Sequence, residues 1–284
     1  MYIPYWNLTE NPFQNVADPR FAFLSSQHRE ALARMLYLVD GRKLGGVLCG
    51  PYGVGKSMVL ELLAEEIRRR EGTRFLRMDA GPSGPMPVLR LILRRLGWTQ
   101  PVEDVSQALF AFEELCSETR AAFSHLVLAI DEAQFFLSPE ALSFLHLFTN
   151  LRVSRKDGSY GPPAATLLLS GPPMILDSIT ADPSLSQRLQ IASILTALDE
   201  QQTLEYVHFR IRQAGGDIWM FDRAALEMLH RASGGIPRVI NNLCDIAMVM
   251  GCAAQVHKID AAMMDQTIAD NLKLNPIAAT ESPV

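Results

Sequence analysis

Cysteine is scarce in this chain, and so are long apolar runs. Four cysteines occur among 284 residues, with no Cys-x-x-Cys pair and no histidines at zinc-ligand spacing, which excludes a disulfide scaffold and a zinc module. The nearest candidate for a membrane span, Ile246–Val256, is far shorter than the roughly 20 residues that a spanning helix needs. We therefore expect reduced thiols, a cytoplasmic location and no transmembrane segment.

A surplus of basic charge is also missing. The net charge of -5 at pH 7 argues against a protein whose whole surface binds nucleic acid, but it leaves room for a local basic patch. The N-terminus has neither the basic nor the apolar stretch of a signal peptide, so none is expected. Hydrophobic residues make up 48% and charged residues 20% of the chain, the proportions of a globular protein with a substantial core.

One segment of this otherwise ordinary chain points directly to a function. It fits the phosphate-binding pattern G-x-x-x-x-G-K-[ST] and reads Gly50-Pro51-Tyr52-Gly53-Val54-Gly55-Lys56-Ser57. Its glycines let backbone N–H groups close around phosphate oxygens, and a helix that follows offers its positive N-terminus. We expect this loop, extended to Met58, to hold a nucleoside triphosphate. Lys56 is predicted on the β- and γ-phosphates and the Ser57 hydroxyl on Mg²⁺. The alternative is a glycine-rich turn with a chance lysine.

A second candidate group follows the apolar run Leu126–Ile130. Such a run is typical of a strand covered on both faces of a parallel sheet, and ligands bind at the carboxyl ends of these strands. The run ends in Asp131 and Glu132. We predict that Asp131 orients Mg²⁺ and that Glu132 polarises the water that attacks the γ-phosphate. Alternatively, the two carboxylates merely begin a helix and suit its dipole.

Four further segments are interpreted as strands of the same sheet, with helical patterns between them. These strands are 44–49, 74–79, 165–169 and 191–198. The helices are predicted over 25–40, from Lys56 onward, and over 86–96 and 105–122. Beyond residue 199 the pattern is helical only, over 200–214, 223–232, 237–252 and 259–272. The expected fold class is α/β, with a five-stranded parallel sheet sandwiched by helices and followed by a small helical lid domain.

The predicted domains follow from these patterns. Residues 1–24 are an extended segment near the nucleotide base, 25–198 the α/β domain, 199–272 the helical lid and 273–284 a flexible tail. The first of these is rich in aromatic residues and proline. Trp6 or Phe13 could stack on adenine, although ordinary packing explains both rings equally well.

The phosphate loop, the acidic pair and the helical C-terminal part together resemble an AAA+ ATPase. The resemblance implies ATP and Mg²⁺ as cofactors, ATP hydrolysis, and an arginine finger at Arg188 within Ser186-Gln187-Arg188-Leu189. It identifies Gly234-Gly235-Ile236-Pro237-Arg238 with the sensor 2 motif. The glycines can end one helix and Pro237 suits the first turn of the next, so that Arg238 can reach a phosphate. Ser170 is the candidate for sensor 1, a position at which the family often has Asn or Thr.

An arginine finger acts on the nucleotide of a neighbouring copy. The resemblance therefore implies a homo-oligomer joined head to tail, either a hexameric ring or a filament. A basic segment, Arg152 to Gly158, lies between two predicted strands, where AAA+ proteins often touch substrate or DNA. A solvated charged loop is the simpler interpretation of that segment. His125, which precedes a predicted strand, is interpreted as structural or solvated rather than catalytic.

The N-terminal part narrows the resemblance. Asn11-Pro12-Phe13, Asp18-Pro19-Arg20-Phe21 and residues 25–32, with the phosphate loop, resemble the ExeA/GspA-like ATPases of secretion and pilus-assembly loci, relatives of the TniB/TnsC transposition ATPases. Secretion members usually continue into a membrane helix and a periplasmic peptidoglycan-binding region. This chain ends before such regions, so it is more similar to the short MshM-like members. A cytoplasmic protein that a partner recruits to the inner membrane is expected.

Three functions fit these patterns. The first is an ATPase whose assembly drives or regulates a bacterial secretion, pilus or related envelope system, with a protein of that system as partner. The second is a transposition-type ATPase that forms filaments or rings on DNA. The third is a slow nucleotide switch that binds ATP, scarcely turns it over and serves as a scaffold.

Overall fold

The computed structural model describes residues 2–81, 85–117, 123–155 and 157–274. Within these ranges the chain forms two compact units. Of the described residues, the α/β unit takes those within Ser26–Pro51 and Lys56–Leu195, and the helical unit takes 2–25, Tyr52–Gly55 and 196–274. The predicted boundaries after residues 24 and 198 lie close to the points at which the chain passes between the units. The N-terminal segment belongs with the C-terminal helices.

The α/β unit contains a parallel sheet and a short hairpin. The strands in chain order are β1 Gly45–Cys49, β2 Thr73–Asp79, β3 His125–Asp131, β4 Arg152–Ser154, β5 Tyr160–Pro163, β6 Ala165–Gly171 and β7 Leu189–Ile194. Five of them form one sheet in the order β2-β3-β6-β1-β7, with every neighbouring pair parallel. All residues of β1, β3 and β6 are buried, which explains their unbroken apolar runs. The predicted five-stranded parallel sheet is confirmed.

Helices pack on this sheet and build the second unit. Those of the α/β unit are α1 Ser26–Asp40, α2 Lys56–Arg68, α3 Pro85–Arg95, α4 Val105–Leu115, α5 Pro139–Phe148, α6 Ile175–Thr180 and α7 Pro183–Ser186. Those of the helical unit are α8 Glu200–Gln213, α9 Arg223–Ser233, α10 Pro237–Ala253 and α11 Ala261–Leu274. Many begin at side-chain caps, as α8 does at Asp199, whose carboxylate accepts the Gln202 N–H in a capping box.

Three predicted elements need correction. The fifth strand is Leu189–Ile194 rather than 191–198. It is an edge strand whose residues alternate between buried and exposed, so a continuous apolar run does not mark its bounds. Part of the basic segment 152–158 is strand β4, paired antiparallel with β5, whereas a loop was predicted. The predicted helix over 105–122 ends at Leu115. Its last five residues, Lys156 of the basic segment, and residues 275–284 of the predicted tail lie outside the described residues.

The N-terminal segment packs into the core of the helical unit. Trp6 and Phe13 are 5% and 2% exposed and lie among apolar side chains of α8–α11. The Trp6 indole Nε1 donates to the Met248 carbonyl at 3.0 Å. A Cβ at Gly251 would lie 2.8 Å from the Trp6 ring, so glycine is needed there. The structure therefore supports the packing interpretation of both rings.

One buried histidine gives the α/β unit a pH dependence. His125 is 2% exposed, and its Nε2 lies 3.0 Å from Thr166 Oγ1. Because the Thr166 hydroxyl donates its own proton to the Lys43 carbonyl, Nε2 donates to Thr166. Burial, with a smaller contribution from the Arg42 charge, lowers the pKa of His125 to about 4. The imidazole is therefore neutral in the folded protein at neutral pH.

We expect acid to destabilise the fold through His125. Between the unfolded pKa near 6.5 and the folded value near 4, the unfolded chain binds the proton and stability falls as pH falls. At 1.36 kcal/mol per pKa unit the loss is about 3 kcal/mol by pH 4. Urea unfolding of the wild type and His125→Gln across this pH range measures it. Glutamine can still donate to Thr166 but does not titrate, so an unchanged pH dependence in the variant would contradict the assignment.

Candidate functional site

The phosphate loop connects β1 to α2 through backbone that requires glycine. Gly53 and Gly55 have φ of +82° and +107°, which side chains rarely adopt. Lys56 begins α2 and is only 6% exposed. Its Nζ donates to the carbonyls of Gly50 at 2.7 Å and Pro51 at 2.9 Å. A buried ammonium group is thus held over the start of the loop.

The predicted sensor 2 residue contacts this loop directly. Arg238 follows Pro237 in the first turn of α10, and its backbone N–H donates to the Gly53 carbonyl at 3.2 Å. A Cβ at Gly53 would lie 2.7 Å from the Arg238 Cβ. The turn before α10 also requires glycine, since a Cβ at Gly235 would overlap the Leu198 carbonyl oxygen. The Arg238 side chain is exposed.

The two predicted magnesium ligands lie next to each other. Asp131, at the carboxyl end of β3, has a side chain that is 3% exposed. Its Oδ2 accepts a hydrogen bond from Ser57 Oγ at 3.0 Å, and Ser57 lies in the first turn of α2. A carboxylate and a hydroxyl are oxygen donors of the kind that Mg²⁺ binds. The residues present therefore fit the ion that the sequence implies.

Glu132 follows in a strained backbone conformation. Its φ of 51° and ψ of 40° are left-handed, a conformation that costs energy in a residue other than glycine and is found preferentially at functional sites. The Glu132 N–H donates to Asp131 Oδ1 at 3.1 Å, and Glu132 Oε2 accepts from Gln134 Nε2 at 2.8 Å. A short 3-10 helix, Ala133–Phe136, comes next, and Glu132 makes no side-chain cap to it. The geometry thus favours a positioned carboxylate over a helix start.

Ser170 lies in the strand between β1 and β3. It is 1% exposed, and its Oγ has no hydrogen-bond partner in the described part of the chain. Ile130 pairs with Leu169 in the register of β3 and β6, so Ser170 follows at the level of Asp131. A buried hydroxyl without a partner is costly, which favours a polar ligand at this position.

Arg188 is placed far from this cluster. It directly precedes Leu189, which pairs with Gly45 at the start of β1, whereas the phosphate loop follows the end of β1. Four steps of about 3.3 Å along a strand separate these edges by roughly 13 Å. The Arg188 guanidinium donates to the Ser184 carbonyl at 3.0 Å and to Asn150 Oδ1 at 3.2 Å. No carboxylate among the described residues pairs with it.

Sequence reasoning missed Arg77 and Asp79 of β2. Arg77 Nη2 lies 2.6 Å from Asp131 Oδ2, and Asp79 pairs with Asp131 in the register of β2 and β3. The alternation Arg77-x-Asp79 places both side chains on one face of the strand. The alternation of Arg77 and Asp79 can be read from the sequence, but the pairing of β2 with β3 cannot.

Comparison with known proteins agrees with this geometry. The family model described as AAA domain matches residues 39–179. General secretion pathway protein A of Aeromonas hydrophila is 32% identical over 269 residues, which cover 91% of this chain and 46% of that protein. The resemblance to AAA+ ATPases and to their ExeA/GspA-like members, predicted from the sequence, is confirmed. This chain spans less than half the length of that relative.

Solved structures share the AAA+ fold at low sequence identity. The Aeropyrum pernix ORC2 protein, in ADPNP-ADP complexes, superposes with a TM-score of 0.70 at 17% identity over 92% of this chain and 71% of that one. The Aeropyrum pernix ORC1 protein, in complex with DNA, has a TM-score of 0.69 at 15% sequence identity, and the match covers 92% of this chain and 68% of that one. The RuvB Holliday junction branch migration motor of Thermotoga maritima has a TM-score of 0.58 at 16% identity, with coverage of 91% and 72%. These likenesses confirm the predicted fold class.

None of the helices in the described part of the chain is long and apolar enough to cross a membrane. The same residues contain no group of three or more His, Cys, Asp or Glu side chains that could hold a metal ion. The candidate Mg²⁺ ligands Ser57 and Asp131 are not such a group, because a hydroxyl supplies one of them.

Proposed function

We propose that this AAA+ chain binds ATP with Mg²⁺ at the carboxyl edge of its sheet and hydrolyses it. The observation that carries the proposal is the Ser57–Asp131 hydrogen bond of 3.0 Å, which joins the phosphate loop to the acidic strand end. An adenine nucleotide is favoured because the similar ORC2 structure is described with ADPNP and ADP. Gly50 to Met58 surround the phosphates in this proposal.

Each charged group has a role that its position suits. Lys56, a buried ammonium, binds the β- and γ-phosphates, and Arg238 serves as sensor 2. Ser57 and Asp131 hold Mg²⁺, which neutralises phosphate charge when bound. Glu132 accepts a proton from the attacking water. Ser170, as sensor 1, donates its unpartnered hydroxyl to this group of atoms.

Replacing Glu132 by glutamine tests the hydrolysis. Glutamine keeps the size of the side chain and can still accept from Gln134, but it cannot take a proton. We expect phosphate release to fall about 10²- to 10⁴-fold while nucleotide affinity is retained. Glu140→Gln, the same change at an exposed residue of α5, is the control and should behave as wild type. Wild-type release no faster than that of Glu132→Gln would favour the slow-switch function instead.

Assembly into a head-to-tail homo-oligomer, a hexameric ring or a filament, is part of the proposal. Arg188 cannot reach the cluster of its own chain across the sheet. An open groove of about 590 Å³ lies beside it, lined by its partner Asn150. Phe110, Leu147 and Tyr160 of this groove are 60%, 48% and 70% exposed, as is common where proteins associate. We assign the groove to a second copy, whose nucleotide would supply the charge partner that Arg188 lacks within the described residues.

The biological role is proposed from the relative. General secretion pathway protein A shares 32% identity over most of this chain, which favours a role in a bacterial secretion, pilus or related envelope system. A protein of that system would be the partner and would recruit the chain from the cytoplasm to the inner membrane. Co-purification of the Glu132→Gln protein with envelope components in the presence and absence of ATP tests this. Recovery of no envelope component in either condition would contradict it.

DNA binding is the second candidate function, favoured by the β4–β5 hairpin. The hairpin carries Arg152 and Arg155, and Tyr160 on it is 70% exposed, a combination that suits phosphates and bases. The ORC1 structure similar to this chain is in complex with DNA. Fluorescence anisotropy with duplex DNA and ATP over a salt series tests this function. Affinity should fall steeply with salt, and less steeply in Arg155→Ala. Absence of binding at every salt concentration would reject it.

A further inference from the structure

Arg77 donates a hydrogen bond to the Asp131 carboxylate, which the proposed function assigns to Mg²⁺ binding. Its Nη2 lies 2.6 Å from Asp131 Oδ2, the oxygen that also accepts from Ser57 Oγ. Its Nη1 lies 3.4 Å from the Ser57 carbonyl. The Asp131 side chain is 3% exposed and that of Arg77 26%. The guanidinium therefore neutralises a buried charge beside the phosphate loop.

A second carboxylate lies within reach of the same guanidinium. Arg77 Nη2 is 3.7 Å from Asp79 Oδ1, and the Asp79 side chain is 74% exposed. The two residues are neighbours on one face of β2. The main chain at Arg77 is held by its place in β2 and by Arg95 Nη1, which donates to the Arg77 carbonyl at 3.2 Å. Rotation of the side chain alone can thus move the guanidinium from Asp131 towards Asp79.

A guanidinium and a divalent cation compete for Asp131. Both carry positive charge, and repulsion between them is strong where water is excluded. The ion would need the lone pairs of Asp131 Oδ2 that Arg77 and Ser57 now use. Binding of the ion therefore favours release of Arg77 from this oxygen.

We propose that Arg77 is a positioning residue that controls access of a divalent cation to Asp131 by moving between Asp131 and Asp79. When no metal is bound, the Arg77 guanidinium pairs with the buried Asp131 carboxylate. When the ion is bound, the guanidinium pairs with Asp79 instead. The inference rests on the proposed function, because it takes Asp131 and Ser57 as the ligands of that ion.

Titration with Mn²⁺, followed by electron paramagnetic resonance of the free ion, tests the proposal. It is made on the full chain with and without a non-hydrolysable ATP analogue. Arg77→Met should lower the Mn²⁺ concentration at half saturation about tenfold, because it removes the competing charge. Arg74→Met is the matched control, since Arg74 is exposed on the same strand; it should leave the value unchanged. An Arg77→Met value equal to that of Arg74→Met, or higher than wild type, would overturn the proposal.

Asp79 supplies a second test that does not disturb the buried pair. Asp79→Asn should raise the half-saturating Mn²⁺ concentration about threefold. In the Arg77→Met background the same change should have no effect, because Asp79 acts through Arg77. An equal effect in both backgrounds would show that Asp79 acts on the ion by itself and would contradict the switch. The comparison of Asp79→Asn in the two backgrounds tests the switch even if Arg77→Met alone lowers the melting temperature.

Nucleotide binding in EDTA separates this inference from the proposed function. If the wild type binds a fluorescent ATP analogue without metal but Arg77→Met does not change the Mn²⁺ titration, only the role of Arg77 fails. If the wild type binds no nucleotide under any condition, the proposed function fails. The Mn²⁺ titration without nucleotide then still reports whether Arg77 competes at Asp131.

Discussion

Lys56→Ala should abolish nucleotide binding. The Lys56 ammonium is buried and is held by two carbonyls of the loop, so its charge is fixed where the phosphates are proposed to bind. Two hydrogen bonds from a charged donor to phosphate contribute about 3 kcal/mol or more together, which corresponds to a loss of affinity of at least about a hundredfold. Isothermal titration calorimetry with ATP and Mg²⁺ measures the change.

Two variants control for the loss of the buried side chain. Lys56→Met keeps the apolar stem and removes only the ammonium, so it should lose affinity to a similar degree. Lys43→Ala removes a lysine that precedes β1 at the other end of the strand, and it should bind ATP as wild type does. Circular dichroism establishes that each variant is folded. Affinity within a few-fold of wild type in both Lys56 variants would contradict the phosphate-loop assignment.

Arg188→Ala should leave ATP binding intact and remove most of the hydrolysis. Arg188 lies beyond the amino end of β7, too far from Asp131 of its own chain to contribute to ground-state binding there. In an assembly its guanidinium would stabilise charge that develops in the transition state, an effect that is worth about 10³- to 10⁵-fold in rate. Phosphate release at saturating ATP, and at concentrations where the wild type assembles, measures it.

Two further variants serve as controls for the Arg188→Ala prediction. Arg188→Lys keeps the charge but not the planar fork, so it should recover little of the lost rate. Arg223→Ala removes an exposed arginine paired with Glu227 in the helical unit and should hydrolyse ATP normally. Turnover in Arg188→Ala equal to that of wild type would exclude Arg188 as the finger.

Sequence patterns predicted the parts of the fold that depend on local chemistry. The glycines of the phosphate loop and the buried strands β1, β3 and β6 were recognised because backbone freedom and burial on both faces restrict the residue types. Edge strand β7 and hairpin strand β4 were misplaced or missed. Both are short and partly exposed, so hydrophobicity marks them weakly.

Tertiary pairings were beyond prediction from one sequence. Arg77 and Asp131 are separated by 54 residues, and only the order of strands in the sheet brings them together. The same is true of Trp6, whose indole bonds a carbonyl 242 residues away. For the acidic pair, the sequence left a helix start open as an alternative. The left-handed backbone at Glu132 and its bond from Gln134 favour the catalytic alternative, and its role stays a proposal.

Mixing two inactive variants tests most directly whether neighbouring copies share one hydrolytic site. Glu132→Gln has Arg188 but lacks the base, and Arg188→Ala has the base but lacks the finger. In an equal mixture, roughly a quarter of the head-to-tail interfaces would join an intact Glu132 to an intact Arg188. The account predicts that phosphate release from the mixture rises far above the sum of the two variants measured separately. Release equal to that sum, from a mixture that light scattering shows to be assembled, would contradict it.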